Sequence, residues 1–249
     1  MFEDNNILGV IWDGTGYGDD GNIWGGEFFK YSSGEIQRLT HFEYFNWISG
    51  DKISKEPRLS LFSLADESFS EVLDSKFTLE ELKVLSSIKK SNKLKTSSVG
   101  RLFDAVASLL NITAYNTYEG EAAILLENVV EYYDLKSCKS YLNFSEVFSA
   151  KEIILNIYKD ILIGSSSKSI IANFLFTLAN FIVKYAEKHH YKHIAFSGGV
   201  FQNTTLVDML IELAPKEIKL YFHKDLSPND ENSSFGQLMF YLKITNYEF

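Results

Sequence analysis

The chain has 249 residues, 45% of them hydrophobic, which is apolar material for one large core or two small ones. A formal net charge of −9 argues against wrapping nucleic acid or lying on an anionic membrane. The single cysteine, Cys138, excludes an internal disulfide and a thiolate cluster.

The first six residues lack the basic and apolar regions of a signal peptide, and with one cysteine the expected location is cytoplasmic. Ile7–Trp12 reads as a buried strand that runs into Asp13-Gly14-Thr15-Gly16, placing the Asp13 carboxylate at the strand's end. There it can reach a metal or a phosphate-bound metal, and the glycines leave main-chain N–H groups open to an anion. Ile23–Tyr31 and Glu35–His41 read as the next two strands, joined around Ser32-Ser33-Gly34, so an antiparallel meander opens the chain. The segment Asp51 to Arg58 reads as loop.

From Leu59 the period turns helical. Thr78 and Glu81 form a capping-box signature. Ser97–Leu110 and Glu119–Tyr132 carry apolar residues at helical spacing, whereas Tyr133–Ser149 is polar, aromatic and irregular. Ala150–Ile163 reads as a helix, Gly164-Ser165-Ser166-Ser167 breaks it, and Ile171 to Tyr185 marks a long amphipathic helix; the most apolar segment, Ile170 to Val183, reads as too short and too polar for a membrane span. The last segment alternates: strand His193–Phe196, helix Thr204–Leu213, strand Leu220–Phe222, helix Ser233–Lys243. This order predicts an α/β fold with a mixed sheet packed by helices. With no repeat and no linker, 1–249 reads as a single domain.

Several residue groups can carry chemistry. Ser197-Gly198-Gly199, with Asn203 after it, lies between a strand and a helix, a junction suited to a phosphate; a plain tight turn is the alternative. Asp230 falls in a loop before the last helix and either shares a metal with Asp13 or flanks that helix. Gly100, Asp104, Glu119, Gly120 and Glu121 sit at or near helix starts. Capping and a solvated flank are their ordinary roles, and contact with ribose hydroxyls is the functional alternative. Arg101 and Arg58 could touch an anion. The histidines lack metal-ligand spacing.

Taken together, six blocks in order resemble the C-terminal part of HypF, the hydrogenase-maturation carbamoyltransferase family. They are Asp13-Gly14-Thr15-Gly16-Tyr17-Gly18 with Trp24-Gly25-Gly26-Glu27; Gly50-Asp51 with Pro57; Ser97 to Val106; Tyr118 to Ala123; Ser197 to Asn203; and Asp230 with Gly236-Gln237. The resemblance implies the second lobe of an actin/sugar-kinase-like pair of ribonuclease-H-like lobes. It implies transfer of a carbamoyl group from carbamoyl-adenylate to the C-terminal cysteine thiolate of a hydrogenase-maturation partner protein. Asp13 and Asp230 would be metal ligands. Gly14, Thr15, Gly100, Asp104, Glu119, Gly120, Ser197, Gly198, Gly199 and Asn203 would hold ATP, AMP or carbamoyl-adenylate.

The chain also departs from the family pattern. It has no histidine cluster upstream of the Asp13 strand, and Glu231 and Asn232 follow Asp230 where the family has glycines. The expected function is therefore a carbamoyltransferase lobe completed by a separate chain supplying the first lobe, or a nucleotide- or partner-binding remnant without turnover.

Overall fold

The computed structural model describes residues 6–130, 132–143 and 148–244. Its sheet has seven strands: β1 (Ile7–Tyr17), β2 (Ile23–Ser32), β3 (Glu35–His41), β4 (Phe45–Asn46), β5 (Lys95–Thr96), β6 (His193–Ser197) and β7 (Lys219–Tyr221). β1 pairs antiparallel with β2 and β2 antiparallel with β3, while β6 joins the other side of β1 in parallel and β7 continues it. The order β3-β2-β1-β6-β7 is that of a ribonuclease-H-like lobe, and the mixed sheet agrees with the sequence expectation. β4 and β5 extend the β2 edge beside Ile23. Two-residue strands have no period to read, so they were invisible in the sequence.

β1 is central because Leu8, Val10 and Trp12 are fully buried on one face while Ile11 points the other way. It runs past Trp12 to Tyr17, and its pairing with β2 slips between Trp12 and Gly16. Asp13 therefore sits on an irregularity inside the strand rather than beyond its end. Such a bulge re-aims a side chain out of the ladder.

The described residues form ten α-helices: α1 (Lys52–Lys55), α2 (Pro57–Leu64), α3 (Ser70–Asp74), α4 (Leu79–Ser91), α5 (Val99–Leu109), α6 (Glu121–Val129), α7 (Ala150–Leu162), α8 (Ser167–Lys188), α9 (Thr204–Leu213) and α10 (Ser233–Ile244). The Asp51–Arg58 stretch is thus mostly helical, with Pro57 at the first position of α2, where its missing N–H costs nothing. α5 is buried along almost its whole length and packs on β1, α2, α6 and α7. Contrary to the expectation of a segment too short and too polar to span, α8 continues past Ile170–Val183 on both sides and is long and apolar enough by composition to cross a bilayer, yet 78% of that stretch is buried inside the fold. It is a core helix held against α6, α7 and α9.

One apolar core lies under the sheet. Trp12 stacks on Phe201 at 5.7 Å and meets Phe28 and Phe42 edge-on, which anchors the short 3-10 turn Gly199–Gln202 beneath β1. A smaller core joins Trp47, Ile48, Ile53, Leu59, Phe62, Phe77 and Leu85. Arg58 holds it together. Its guanidinium pairs with Glu56 and Glu81 at 2.9 Å each, donates to the Lys76 carbonyl and covers the Phe77 ring. Arg58 is a brace between α2 and the capping box of α4, not an anion contact.

Candidate functional site

The site begins with how three segments meet. Gly198, at φ +100°, lies so close to β1 that a Cβ there would collide with the Trp12 carbonyl oxygen. Its N–H donates to the Pro228 carbonyl at 2.7 Å, which draws the Pro228-Asn229-Asp230 loop over the end of β6. From the other side α5 closes in. A Cβ on Gly100 would stand 2.7 Å from Gly14 Cα, so only glycine lets the helix start touch the Asp13–Gly14 turn. Ser98 caps α5 by accepting from Arg101 N, and its hydroxyl lies 2.9 Å from Asp13 O and 2.7 Å from Gly14 O.

Behind Ser98 is a carboxylate that sequence reasoning used only as a family marker. Glu27, 2% exposed, accepts from Gly25 N at 2.6 Å, Gly26 N at 2.8 Å, Ser97 Oγ at 2.5 Å and Arg38 Nη2 at 3.1 Å. It ties the start of β2 to the loop that carries Ser98, and so fixes the Asp13 turn from behind.

The result is a cavity of about 610 Å³. The structure brings Asp13, Gly14, Gly100, Asp104, Glu119, Gly120, Gly199, Asn203 and Asp230 together on its walls. Thr15, Ser197 and Gly198 do not line it. Thr15 is exposed, Gly198 serves the β1 contact, and Ser197 Oγ faces His223 Nε2 at 3.2 Å. The Asn232 amide nitrogen stands 3.2 and 3.4 Å from the two ring nitrogens of His223. Near-equal distances to both place it over the ring face, so these three side chains do not make a nucleophile–base–orienter array.

Residues not put forward as ligand contacts also line the cavity: Phe103, Ala123, Ile124 and Val200 give one apolar stretch, and Gln202 and Glu127 add polar groups. Glu231 lines the cavity, whereas Asn232 turns to His223.

Asp13 Oδ1 accepts from Gly14 N at 2.7 Å and from Gly199 N at 3.4 Å. Burial holds its carboxyl above the usual range against those bonds, and the charges of Asp230 and Glu119 push the same way. Asp104 is 3% exposed, so it is no solvated flank. Burial pushes it up to about 6, although Arg101 Nη1 stands 2.9 Å from Oδ2 and Asn116 donates to Oδ1. The Arg101 approach is off-axis, which leaves Nη1 and Oδ2 without an aligned hydrogen bond. Asn203 caps α9 by accepting from Leu206 N at 2.8 Å, while its buried Nδ2 has no partner. Unpartnered buried donors around one cavity mark a place built to receive polar ligand atoms.

The lining carries the carboxylates of Asp13, Asp104, Glu119, Glu127, Asp230 and Glu231 against the one guanidinium of Arg101. A phosphoryl group entering it needs a cation for company. Asp13 and Asp230 can offer two oxygen ligands. Among the described residues, however, no group of three or more His, Cys, Asp or Glu converges to hold a metal ion.

Comparison with known proteins gives a consistent set of likenesses. Residues 9–237 match the family model described as Carbamoyltransferase, Kae1-like Domain, second subdomain. The Carbamoyltransferase HypF of Synechocystis is 31% identical over 98% of this chain and 35% of its own length. The Probable carbamoyltransferase HypF of Methanocaldococcus jannaschii is 32% identical over 99% of this chain and 34% of its own. Among solved structures, a full-length HypF in a phosphate- and nucleotide-bound form superposes with a TM-score of 0.80 at 28% identity, covering 98% of this chain and 34% of that one. The T. kodakarensis HypF gives a TM-score of 0.79 at 26% identity, over 97% of this chain and 34% of that one. The chain spans about a third of the length of these relatives.

Proposed function

The chain belongs to the HypF carbamoyltransferase family as its Kae1-like second subdomain, and we propose that it is the nucleotide-holding half of a carbamoyl-transfer site. The observation that carries this reading is the cavity itself. Asp13, Gly100, Asp104, Gly120, Gly199, Asn203 and Asp230 come from segments far apart in sequence and line one space, with the Asn203 amide unpartnered beside it.

The ligand proposed is carbamoyl-adenylate, with AMP as the product and ATP as a competitor. In this proposal the base lies on the apolar stretch of Phe103, Ala123, Ile124 and Val200, the ribose hydroxyls beside Asp104 and Glu119, and the phosphoryl group toward the Asp13–Gly14 turn, where Asp13 Oδ1 already takes the N–H groups of Gly14 and Gly199 and a cation would accompany the phosphate. In the reaction a cysteine thiolate of a partner protein attacks the carbamoyl carbon, the bond from that carbon to the phosphate oxygen breaks, and AMP departs. The lobe needs no nucleophile of its own. Cys138 is outside the cavity, and burial and nearby acids push its thiol up. The acidic excess suits a ligand with one phosphoryl charge better than one with three. Asp13 and Asp230 are proposed to supply two ligands to a divalent cation whose other ligands come from outside this chain.

Hydrogenase maturation, a partner with a C-terminal cysteine, a separate chain supplying the first lobe and a cytoplasmic setting all follow from the same reading. A second reading, binding without turnover, draws on Glu231, which stands in the cavity as an added charge.

Calorimetric titration of the chain with AMP and with ATP, with and without divalent metal, separates the two. Binding of AMP that strengthens with metal and disappears in Asp13→Ala is expected. Equal binding by wild type and Asp13→Ala would remove Asp13 from the site, and recovery of binding in Glu231→Gly alone would favour the remnant.

A further inference from the structure

Among the described residues, Arg101 is the one cationic side chain on the cavity wall. It stands in the first turn of α5, where the helix start already carries partial positive charge and acidic side chains are the favourable occupants; α5 has none there. The Arg101 side chain is 8% exposed. A guanidinium buried at the positive end of a helix is costly unless anionic or carbonyl oxygens meet its N–H groups.

The protein meets them only in part. Asp104 Oδ2 stands 2.9 Å from Nη1, and yet Nε and Nη1 are buried without an aligned acceptor. Asp104 therefore balances the charge and leaves the donors unsatisfied, while its Oδ1 accepts from Asn116 Nδ2. Nη2 is placed differently. It lies by the Asp13–Gly14 turn, 3.4 Å from where a Cβ on Gly14 would stand. A side chain at Gly14 would pack against Nη2 and cover it. Since Nε and Nη1 are closed off and Arg101 still lines the cavity, Nη2 is the edge that the guanidinium presents there.

We propose that Arg101 is the phosphoryl-binding residue of the cavity: Nη2 donates to a phosphate oxygen lying at the Asp13–Gly14 turn, while Nη1 stays on Asp104. The inference deepens the nucleotide reading and rests on it. Asp13 already holds the Gly14 and Gly199 amides, so among the protein's own groups the charge of the phosphate falls to Arg101. A guanidinium suits the task, because it stays charged when buried and its rigid fork serves two oxygens at once. One open edge set among the lining carboxylates selects a nucleoside that carries a single phosphoryl group.

The test compares AMP with adenosine, which shares the base and ribose and lacks the phosphoryl group. Each is titrated calorimetrically into wild type, Arg101→Lys and Arg101→Gln. Wild type should hold AMP the more tightly. In Arg101→Gln the affinity for AMP should fall about ten- to hundredfold, with adenosine changed by less than about twofold. Arg101→Lys keeps the charge, loses the fork and should fall between. A residue that only braced α5 would weaken both ligands alike, so an unchanged ratio of AMP to adenosine affinity in folded Arg101→Gln overturns the inference. If Arg101→Gln fails to fold because Asp104 loses its counterion, the double change Arg101→Gln and Asp104→Asn removes both charges. The ratio still reads Arg101 there, because adenosine also carries whatever Asp104→Asn does at the ribose. If wild type takes neither ligand, inorganic phosphate decides by NMR. A saturable shift of the Gly14 amide and the Arg101 Nε–H in wild type, with Gly14 still in Arg101→Gln, would reject the nucleoside and keep Arg101 as the anion site. Silence of both groups in wild type, or an equal Gly14 shift in both proteins, would overturn the inference as well.

Discussion

Asp104 shows how a single group links the site to stability. Its carboxyl is pushed up to about 6 by burial, above the ordinary aspartate value of 3.8. Between those values the native state keeps a proton that the unfolded chain has lost. The contribution of this group to stability is therefore fully present below about pH 4, falls as pH rises toward 6 and is level above. Asp104→Asn removes the titration. The advantage of wild type over Asp104→Asn in urea unfolding should grow as pH falls from 6.5 to 4.5, by at most about 3 kcal/mol. Parallel curves for the two proteins would show that Arg101 keeps the carboxyl ionised throughout. Glu27 gives a prediction without pH. Its removal strands the buried Gly25 and Gly26 amides, while the Arg38 guanidinium keeps Tyr44 Oη and Asp20 as acceptors. Glu27→Ala should lose about 3 kcal/mol by chemical denaturation. Nucleotide affinity should fall further than stability alone explains, because Ser98 would no longer hold the Asp13 turn.

At the scale of elements, what was legible in the sequence is what local chemistry decides. The capping box at Thr78 and Glu81 forms as read, with both reciprocal bonds present. The glycine junctions at Asp13-Gly14 and Ser197-Gly198-Gly199 also fall where expected, because a backbone that must touch another backbone can carry no side chain there. What the sequence hid is long-range. Glu27 reaches Ser97 across 70 residues and Glu127 reaches Thr204 across 77, and no spacing rule links positions so far apart. Asp104 looked like an outward flank because its helix was pictured with one wet face, whereas α5 is wrapped on nearly all sides. The close approach of α5 to β1 gives the test for this scale. Gly100→Ala puts a methyl group 2.7 Å from Gly14 Cα, and backbone cannot yield as a side-chain tip does. The helix start must back away from the Asp13 turn. A loss of about 2–3 kcal/mol is expected, with nucleotide binding falling in step. A melting temperature unchanged from wild type would mean that the two segments are not in contact in solution.

The molecule as a whole is unevenly finished. Its sheet and α5, α8 and α9 bury their apolar faces, but α10 does not. Phe235, Leu238, Met239, Phe240 and Tyr241 of α10 are each between 44% and 59% exposed, and its principal neighbour is the 3-10 turn Asp230–Asn232. Residues at these spacings circle the helix, so α10 presents apolar surface on more than one side and has no charged residue among positions 233–241 to keep it apart from other chains. Exposed apolar surface of this kind associates. The chain by itself should self-associate through α10, which light scattering would show as a concentration-dependent rise in mass. The double change Leu238→Glu and Phe240→Glu should return it to a monomer and leave the melting temperature within about 2 °C of the wild-type monomer, since neither side chain is buried. A monomer at every concentration in wild type would reject the prediction, as would a large loss of stability in the double variant. The turn that carries α10 also carries Asp230 and Glu231 to the cavity. Whatever covers α10 therefore also fixes the loop opposite Asp13. AMP affinity measured above and below the association concentration would report that coupling, with the tighter value expected where α10 is covered.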